Sequence, residues 1–222
     1  MELELQTKRH CNVYLENVSF AVLQNEQDSL GIGRWTYLTI LGKYNRRTTI
    51  FTMCRPCRGS ISSMGEMVIK QQWLVMQQTK RKDHPHKAII IDIIIVINKT
   101  VKEVHDIILS ISGNGMFSNA SGSIAKLYRE CKLFDPFDHK YGNYSNAKSH
   151  LCGFQKIDFI LCSFNILTTV IKCGMIGFNE ITTSDHCRLF LDISRDIILK
   201  EKKQLSSHPP SHDNYNQSHL NL

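Results

Sequence analysis

An isoleucine-rich segment, AIIIDIIIVI at residues 88–97, restricts the possible folds of this chain more than any other feature. It is too short to cross a bilayer, which takes about 20 apolar residues, and it carries Asp92. Such a segment has to lie in a buried core. Its β-branched residues would suit a strand, but its length and the polar sequence that follows favour a helix of about five turns. We therefore predict a buried helix over residues 87–104.

Segments rich in β-branched and aromatic residues lie on both sides of this helix. RWTYLTIL and TTIFTM, at residues 34–41 and 48–53, are separated by a basic turn and predict a β-hairpin. Apolar periodicity predicts further strands at residues 105–111, 156–163, 167–176 and 189–193. Additional helices are predicted at residues 62–80 and 121–133, the second capped at Asn119 or Ser121, with a loop over residues 134–153. This order of elements is typical of a layered α/β sandwich.

The chain of 222 residues is long enough for one large domain, which we assign to residues 34–196. Residues 1–33 are weakly patterned, and residues 13–23 alternate loosely enough to form one strand. Residues 197–222 collect Ser, His, Pro, Asn and Gln with little apolar surface to bury. We therefore predict a disordered tail after the domain.

The charge and the cysteines indicate a compartment and a class of partner. The net charge of +7 and the pI near 9.0 favour an anionic partner, and nucleic acid is the commonest. The eight cysteines are scattered, and no secretory signal precedes them, which is typical of reduced thiols. We predict an intracellular protein, cytoplasmic or nuclear, without a transmembrane segment. The oligomeric state is not indicated.

Three polar sites follow or begin predicted strands. Ser184-Asp185-His186 leads into the last strand, and a carboxylate next to a histidine lets one residue hold a divalent ion while the other faces a phosphate. Asp158 lies in a buried strand and is a candidate to orient a histidine. Asn114 follows another strand, where its amide can position a phosphate. Each signal is weak alone, and their order carries more weight.

With these motifs the chain resembles the C-terminal two-thirds of an endonuclease/exonuclease/phosphatase-superfamily domain, of the DNase I and apurinic-endonuclease type. It is most similar to the endonucleases carried beside reverse transcriptases in non-LTR retroelements. The resemblance covers roughly residues 30–195. The counterparts of the family motifs are Cys54-Arg55-Pro56, Ser112-Gly113-Asn114, Ile157-Asp158-Phe159-Ile160 and Ser184-Asp185-His186.

The resemblance implies an α/β fold, a two-layered β-sandwich flanked by helices, and a metal-dependent phosphodiesterase that acts on DNA. By the same resemblance His186, paired with Asp158, contacts the phosphate as base or electrostatic stabiliser. Asp185 helps to hold Mg²⁺ or Mn²⁺. Asn114 positions the phosphate and the attacking water.

The chain also departs from the family pattern. Ser112 stands where the family has an acid, Cys54 where it has a tyrosine, and residues 1–33 contain no recognisable motif for the family's N-terminal metal ligand. These differences predict an incomplete fold truncated at its N-terminus, weak binding of Mg²⁺, and an impaired, retroelement-derived nuclease. Two alternatives stay open. One is a catalytically dead remnant that binds nucleic acid weakly, and the other is an unrelated binding module.

Overall fold

A computed structural model describes residues 2–8, 10–15, 21–55, 64–113, 123–142, 147–178 and 184–194. Within these ranges the strands are β1 (Glu2–Lys8), β2 (His10–Leu15), β3 (Ala21–Gln27), β4 (Trp35–Leu41), β5 (Arg47–Cys54), β6 (His105–Ser112), β7 (Asp158–Cys162), β8 (Val170–Ile176) and β9 (Arg188–Ile193). The α-helices are α1 (Met64–Gln78), α2 (Pro85–Lys102), α3 (Ser123–Cys131), α4 (Pro136–Tyr141) and α5 (Phe164–Leu167).

The strands form two sheets. The larger sheet has the order β3-β4-β5-β6-β7, in which β5 and β6 are parallel and the other neighbours antiparallel. The helices α1 and α2 form the connection between β5 and β6, as a parallel pair requires a long crossover. The smaller sheet has the order β2-β1-β9-β8 and is antiparallel throughout.

Strand β6 is buried on both faces, and its alternating side chains belong to two different cores. Ile107, Leu109 and Ile111 pack in the core shared with α2 and α3, whereas Ile108 packs in the core between the two sheets. This is the period-2 alternation of a strand whose two faces are both covered. The layers are therefore helices, larger sheet and smaller sheet, which confirms the predicted two-layered β-sandwich flanked by helices.

The isoleucine-rich segment forms α2, as predicted, because its apolar face covers the larger sheet. Ile89, Ile93 and Ile97 are fully buried, while Ile95 is 62% exposed on the opposite face. The acid in this segment, Asp92, accepts hydrogen bonds from Arg34 at 2.6 Å and from Arg81 at 2.7 Å. The charge within the apolar segment is therefore paired, as a partly buried carboxylate has to be.

Several other predictions are confirmed, and three are wrong in part. The hairpin is β4–β5, the helix at residues 62–80 is α1, and the later strands are β6, β7, β8 and β9. The predicted loop at residues 134–153 contains α4, which begins at Pro136 after the N-cap Asp135. The strand predicted at residues 13–23 is replaced by two, because residues 13–15 belong to β2 and residues 21–23 to β3, which lie in different sheets. The strand predicted from residue 167 starts at Val170, after the short helix α5.

Other predictions fall outside the described residues. These are the caps at Asn119 and Ser121 and the tail at residues 197–222. As to membranes, every helix in the described part of the chain is too short or too polar to span a bilayer.

Candidate functional site

The ends of three neighbouring strands lie side by side at one edge of the larger sheet. Cys54 at the end of β5 pairs in register with Ser112 at the end of β6, and Ser112 pairs with Asp158 at the start of β7. Their side chains share the face of Ile50, Ile108 and Ile160, which lie two or four residues away along the same strands and pack between the sheets. The row therefore points into the gap between the two sheets.

His186 reaches this row from the loop before β9 and is hydrogen-bonded to Asp158. The distance from His186 Nδ1 to Asp158 Oδ2 is 2.8 Å, with side-chain exposures of 16% and 1%. The bond to Asp158 raises the pKa of His186, burial opposes this, and the charges of Asp158 and Asp185 add to the rise. The bond also fixes the ring orientation, so that Nε2 faces away from Asp158. The structure thus brings together two of the predicted site residues as an acid–histidine pair.

A segment around Ser149 holds the pair in place. The buried Ser149 Oγ accepts hydrogen bonds from the backbone N–H groups of Ile157 and Asp158, at 2.9 and 3.0 Å. The Ser149 carbonyl accepts from Cys187 N at 2.8 Å, and Asp185 O accepts from Leu151 N at 2.7 Å. This segment therefore ties the start of β7 to the Ser-Asp-His loop and positions both partners.

The same segment brings His150 to the site, a residue that the sequence analysis missed. His150 forms a β-bridge with His186, and their rings make an edge contact with centroids 4.8 Å apart. His150 Nε2 lies 3.5 Å from Asp185 Oδ2, and the Asp185 side chain is 70% exposed. No local pattern singles out His150, since it lies in a polar segment eight residues before Asp158. Its position depends on the long-range bridge.

The remaining predicted site residue, Asn114, lies outside the described residues. Its predecessor Gly113 donates a hydrogen bond to Ile157 O at 2.9 Å, next to Asp158. A Cβ at Gly113 would lie 2.8 Å from Ile124 Cδ1 and 3.0 Å from Ile157 O, so the backbones of β6 and β7 approach closely here. The departures from the family pattern, Ser112 and Cys54, lie in the same row as Asp158, where a hydroxyl and a thiol replace the carboxylate and phenol that the resemblance implies.

The described side chains fit Mg²⁺ poorly. Within the described residues, the group with the geometry of a metal site is His150, Asp185 and His186, whose ligand atoms all lie within 4.8 Å of one another. Only one of these three is a carboxylate, whereas Mg²⁺ prefers oxygen ligands. Asp158 Oδ1 is buried and has no hydrogen-bond partner among the described residues, but Oδ2 is engaged by His186. The assignment of Mg²⁺ or Mn²⁺ to Asp185 stays a prediction of the sequence.

No protein-family model and no curated protein sequence matches the chain. Solved structures do. An endonuclease/exonuclease/phosphatase family protein from Bacteroides thetaiotaomicron superposes with a TM-score of 0.51 at 12% identity, covering 85% of this chain and 69% of that protein. The superposition covers most of this chain and agrees with the sandwich described above. The chain has the DNase I-like fold.

Two further structures are similar at slightly lower scores. The Neisseria 3′ phosphatase NExo, bound to a product DNA hairpin, has a TM-score of 0.49 at 10% identity, with 79% of this chain and 72% of that chain covered. The catalytic domain of APE2 from Xenopus laevis has a TM-score of 0.48 at 12% identity, with 83% and 71% covered. At these identities the likeness concerns the DNase I-like fold alone.

Proposed function

We propose that this chain is a phosphodiesterase of the endonuclease type that acts on DNA, with an impaired active site at the Asp158–His186 pair. The observation that carries the proposal is the 2.8 Å hydrogen bond between His186 Nδ1 and Asp158 Oδ2, at the gap between the sheets of a DNase I-like fold. The net charge of +7 supports a nucleic-acid partner.

In this proposal the pair acts on the phosphate through His186 Nε2. Asp158 accepts a hydrogen bond from the Nδ1–H group and holds the ring, which leaves Nε2 available to a phosphate. The raised pKa of His186 favours the protonated ring more than in a free histidine, and an imidazolium stabilises negative charge that develops on a phosphate oxygen. Asn114 would position that phosphate, and Asp185 would offer its exposed carboxylate to a divalent ion, as the resemblance implies.

The side chains next to Asp158 account for the impairment. Ser112 pairs directly with Asp158 across the ladder, and its hydroxyl is a far weaker base than a carboxylate. Cys54, next in the row, is a shorter side chain than tyrosine. A chain with these replacements and a retroelement-type motif order is the expected product of a mobile-element nuclease that has lost part of its activity.

Nicking of supercoiled plasmid in Mg²⁺ or Mn²⁺ tests the proposal. The chain is compared with His186→Ala and Ser112→Asp, and with His139→Ala as a control at an exposed histidine of α4. Residual nicking should fall about 10²–10⁴-fold in His186→Ala and rise in Ser112→Asp. Equal nicking by wild type and His186→Ala would contradict the role of the pair.

A second candidate function is a catalytically dead remnant that binds nucleic acid weakly. Ser112 and Cys54 favour it, because both lie in the same row as Asp158 and replace the acid and the tyrosine that the resemblance implies. DNA binding that survives in His186→Ala, without nicking by any variant, would favour this remnant over the enzyme. Nicking restored by Ser112→Asp would instead mean that the catalytic arrangement persists and lacks one acid.

A further inference from the structure

The cluster of His150, Asp185 and His186 has a donor set that differs from that of a magnesium site. It offers two imidazole nitrogens and one carboxylate. Imidazole is a preferred ligand of zinc and other late first-row transition ions, whereas Mg²⁺ is held by oxygen. Three protein ligands of the His and Asp/Glu type, with the fourth position left to water, are also the usual number at catalytic zinc sites.

The distances are compatible with one tetrahedral ion. With metal–ligand bonds of about 2.0–2.2 Å, the ligand atoms of such an ion lie roughly 3.3–3.6 Å apart. His150 Nε2 and Asp185 Oδ2 are already 3.5 Å apart, and all three ligand atoms lie within 4.8 Å. Rotation of Asp185 can adjust the position of its carboxylate relative to the two histidines, because its side chain is 70% exposed.

The surroundings of His186 are those of a metal ligand. Metal-bound histidines commonly donate their other ring N–H to a carboxylate, which fixes the tautomer and raises the basicity of the ligand nitrogen. Asp158 has this relation to His186, since it binds Nδ1 at 2.8 Å and leaves Nε2 available. Asp158 is itself fixed, because its backbone N–H donates to the buried Ser149 Oγ.

The two segments that carry the ligands are joined before any ion binds. Residues 150 and 186 are β-bridge partners, and hydrogen bonds at 2.7 and 2.8 Å, from Leu151 N to Asp185 O and from Cys187 N to Ser149 O, lie on either side of the bridge. The folded chain therefore already holds the backbones of the two segments together, so ion binding does not have to supply the conformational entropy of joining them. A surface ion pair between His150 and Asp185 would need none of this organisation.

We propose that His150, Asp185 and His186 form a binding site for a single transition-metal ion of the zinc class, with Asp158 orienting His186. The site differs from the magnesium assignment in its ligands and in its ion. It goes beyond the proposed function, because it concerns binding of an ion by the free protein. When the ion is bound, His186 Nε2 is a ligand and does not contact a phosphate.

The test measures Zn²⁺ binding to the full chain without nucleic acid. The purified protein is stripped of metal with a chelator, dialysed, and titrated with Zn²⁺ in competition with a chromophoric chelator of known affinity. Wild type is compared with His150→Ala, Asp185→Asn and the control His139→Ala. The scattered cysteines are common to all four proteins, so differences among them report the cluster.

We expect one Zn²⁺ equivalent to bind about tenfold or more weakly in His150→Ala and Asp185→Asn, and unchanged in His139→Ala. Asp158→Asn should weaken the same equivalent by about 10–100-fold without removing a ligand. Far-UV circular dichroism checks that each variant is folded. Asp185→Asn should disturb folding least, because the Asp185 side chain is 70% accessible to solvent.

Equal Zn²⁺ binding by wild type, Asp185→Asn and His150→Ala would overturn the proposal and leave a surface ion pair only. The outcome is separate from that of plasmid nicking. A chain that binds Zn²⁺ through this cluster and never nicks DNA would support the site and contradict the phosphodiesterase. Nicking without Zn²⁺ binding would do the reverse.

Discussion

At the scale of single residues, the Asp158–His186 pair shows how burial and a hydrogen bond act on the same group. Burial alone would lower the pKa of His186, because the charged ring loses water. The bond to Asp158 outweighs burial, since a carboxylate at 2.8 Å stabilises the imidazolium more than the neutral ring. The protonation of this pair is therefore coupled to folding.

The raised pKa gives the pair a defined pH dependence. A histidine whose folded pKa lies above its unfolded value of about 6.5 contributes stability that is fully present below that value. The contribution is lost as pH rises through the folded pKa. The free energy of unfolding of wild type should therefore exceed that of His186→Gln by more at pH 6 than at pH 9, as measured by urea denaturation.

Direct titration provides the control for this prediction. The imidazole resonances of His186 in NMR spectra should titrate above about pH 6.5 in wild type. The same resonances should titrate at lower pH in Asp158→Asn, because the carboxylate is absent. A difference between wild type and His186→Gln that grows with pH would contradict the assigned sign.

Gly113 is required by a close approach of two backbones. A Cβ at this position would lie 2.8 Å from Ile124 Cδ1 and 3.0 Å from Ile157 O, and the backbone oxygen cannot move without shifting β7. Gly113→Ala should lower the free energy of unfolding by about 1–3 kcal/mol, as overpacking does. Gly153→Ala is the matched control, because its nearest neighbours lie at 3.4 Å, and it should change stability by about 0.5 kcal/mol or less. Equal effects in urea denaturation would show that the approach at Gly113 is not tight.

At the scale of elements, α2 packs on the larger sheet through one face of the helix. Ile93 is fully buried against the larger sheet, whereas Ile95, two residues on, is 62% exposed. Ile93→Ala should cost about 2–5 kcal/mol through lost burial and a cavity. Ile95→Ala should change stability by about 0.5 kcal/mol or less. Similar losses in thermal or urea denaturation would mean that α2 does not pack on the sheet through this face.

The helix α4 begins with a local capping signal although its sequence is mostly polar. Asp135 accepts a hydrogen bond from Phe137 N at 2.8 Å, and Pro136 occupies the first helical position. Asp followed by Pro is a helix start. The polar composition of the segment predicts a loop, and a helix of only six residues is too short to show a clear apolar period. Its apolar contribution, Phe137, is buried at 3% exposure between the sheets.

Strand β6 organises the site because it is central in the larger sheet. It pairs with β5 through Cys54 and Ser112, and with β7 through Ser112 and Asp158. Local sequence predicts each of these strands, β5 from its β-branched and aromatic residues and β6 and β7 from their apolar residues. It did not predict that Ser112 and Asp158 are cross-strand neighbours, because the register of residues 46 positions apart depends on the whole sheet.

At the scale of the molecule, the basic charge sets an expectation for nucleic-acid binding. A chain with a net charge of +7 that neutralises several phosphates releases counterions, so its affinity for DNA should fall linearly with salt on logarithmic axes. Between about 50 and 200 mM salt we expect a loss of about tenfold or more. Fluorescence anisotropy with a labelled duplex measures this. Binding that is absent or independent of salt would favour the unrelated binding module.

The sandwich arrangement explains why the site lies where it does. Asp158 belongs to the larger sheet, while His186 precedes β9 of the smaller sheet. The two residues meet only because the sheets pack through the core of Ile108, Ile160 and Leu191. A mutation that separates the sheets would therefore break the pair without touching either residue.

The sequence by itself determined the elements and the motif residues. Segment length, β-branched and aromatic content and apolar runs predict α2, the β4–β5 hairpin, β6, β7 and β9, because helix and strand formation depend on neighbours within a few residues. The sequence also singled out Asp158 and His186, through a motif order that resembles the DNase I-like nucleases.

Only the tertiary structure decided which of these residues meet. The bridge between residues 150 and 186, the register of Ser112 with Asp158 and the 3.5 Å approach of His150 to Asp185 all join segments that are distant or unpatterned in sequence. Their positions follow from sheet packing, whose free energy is shared by the whole core. Local sequence preferences therefore predict the individual helices and strands, whereas the packing of the two sheets brings the site residues together.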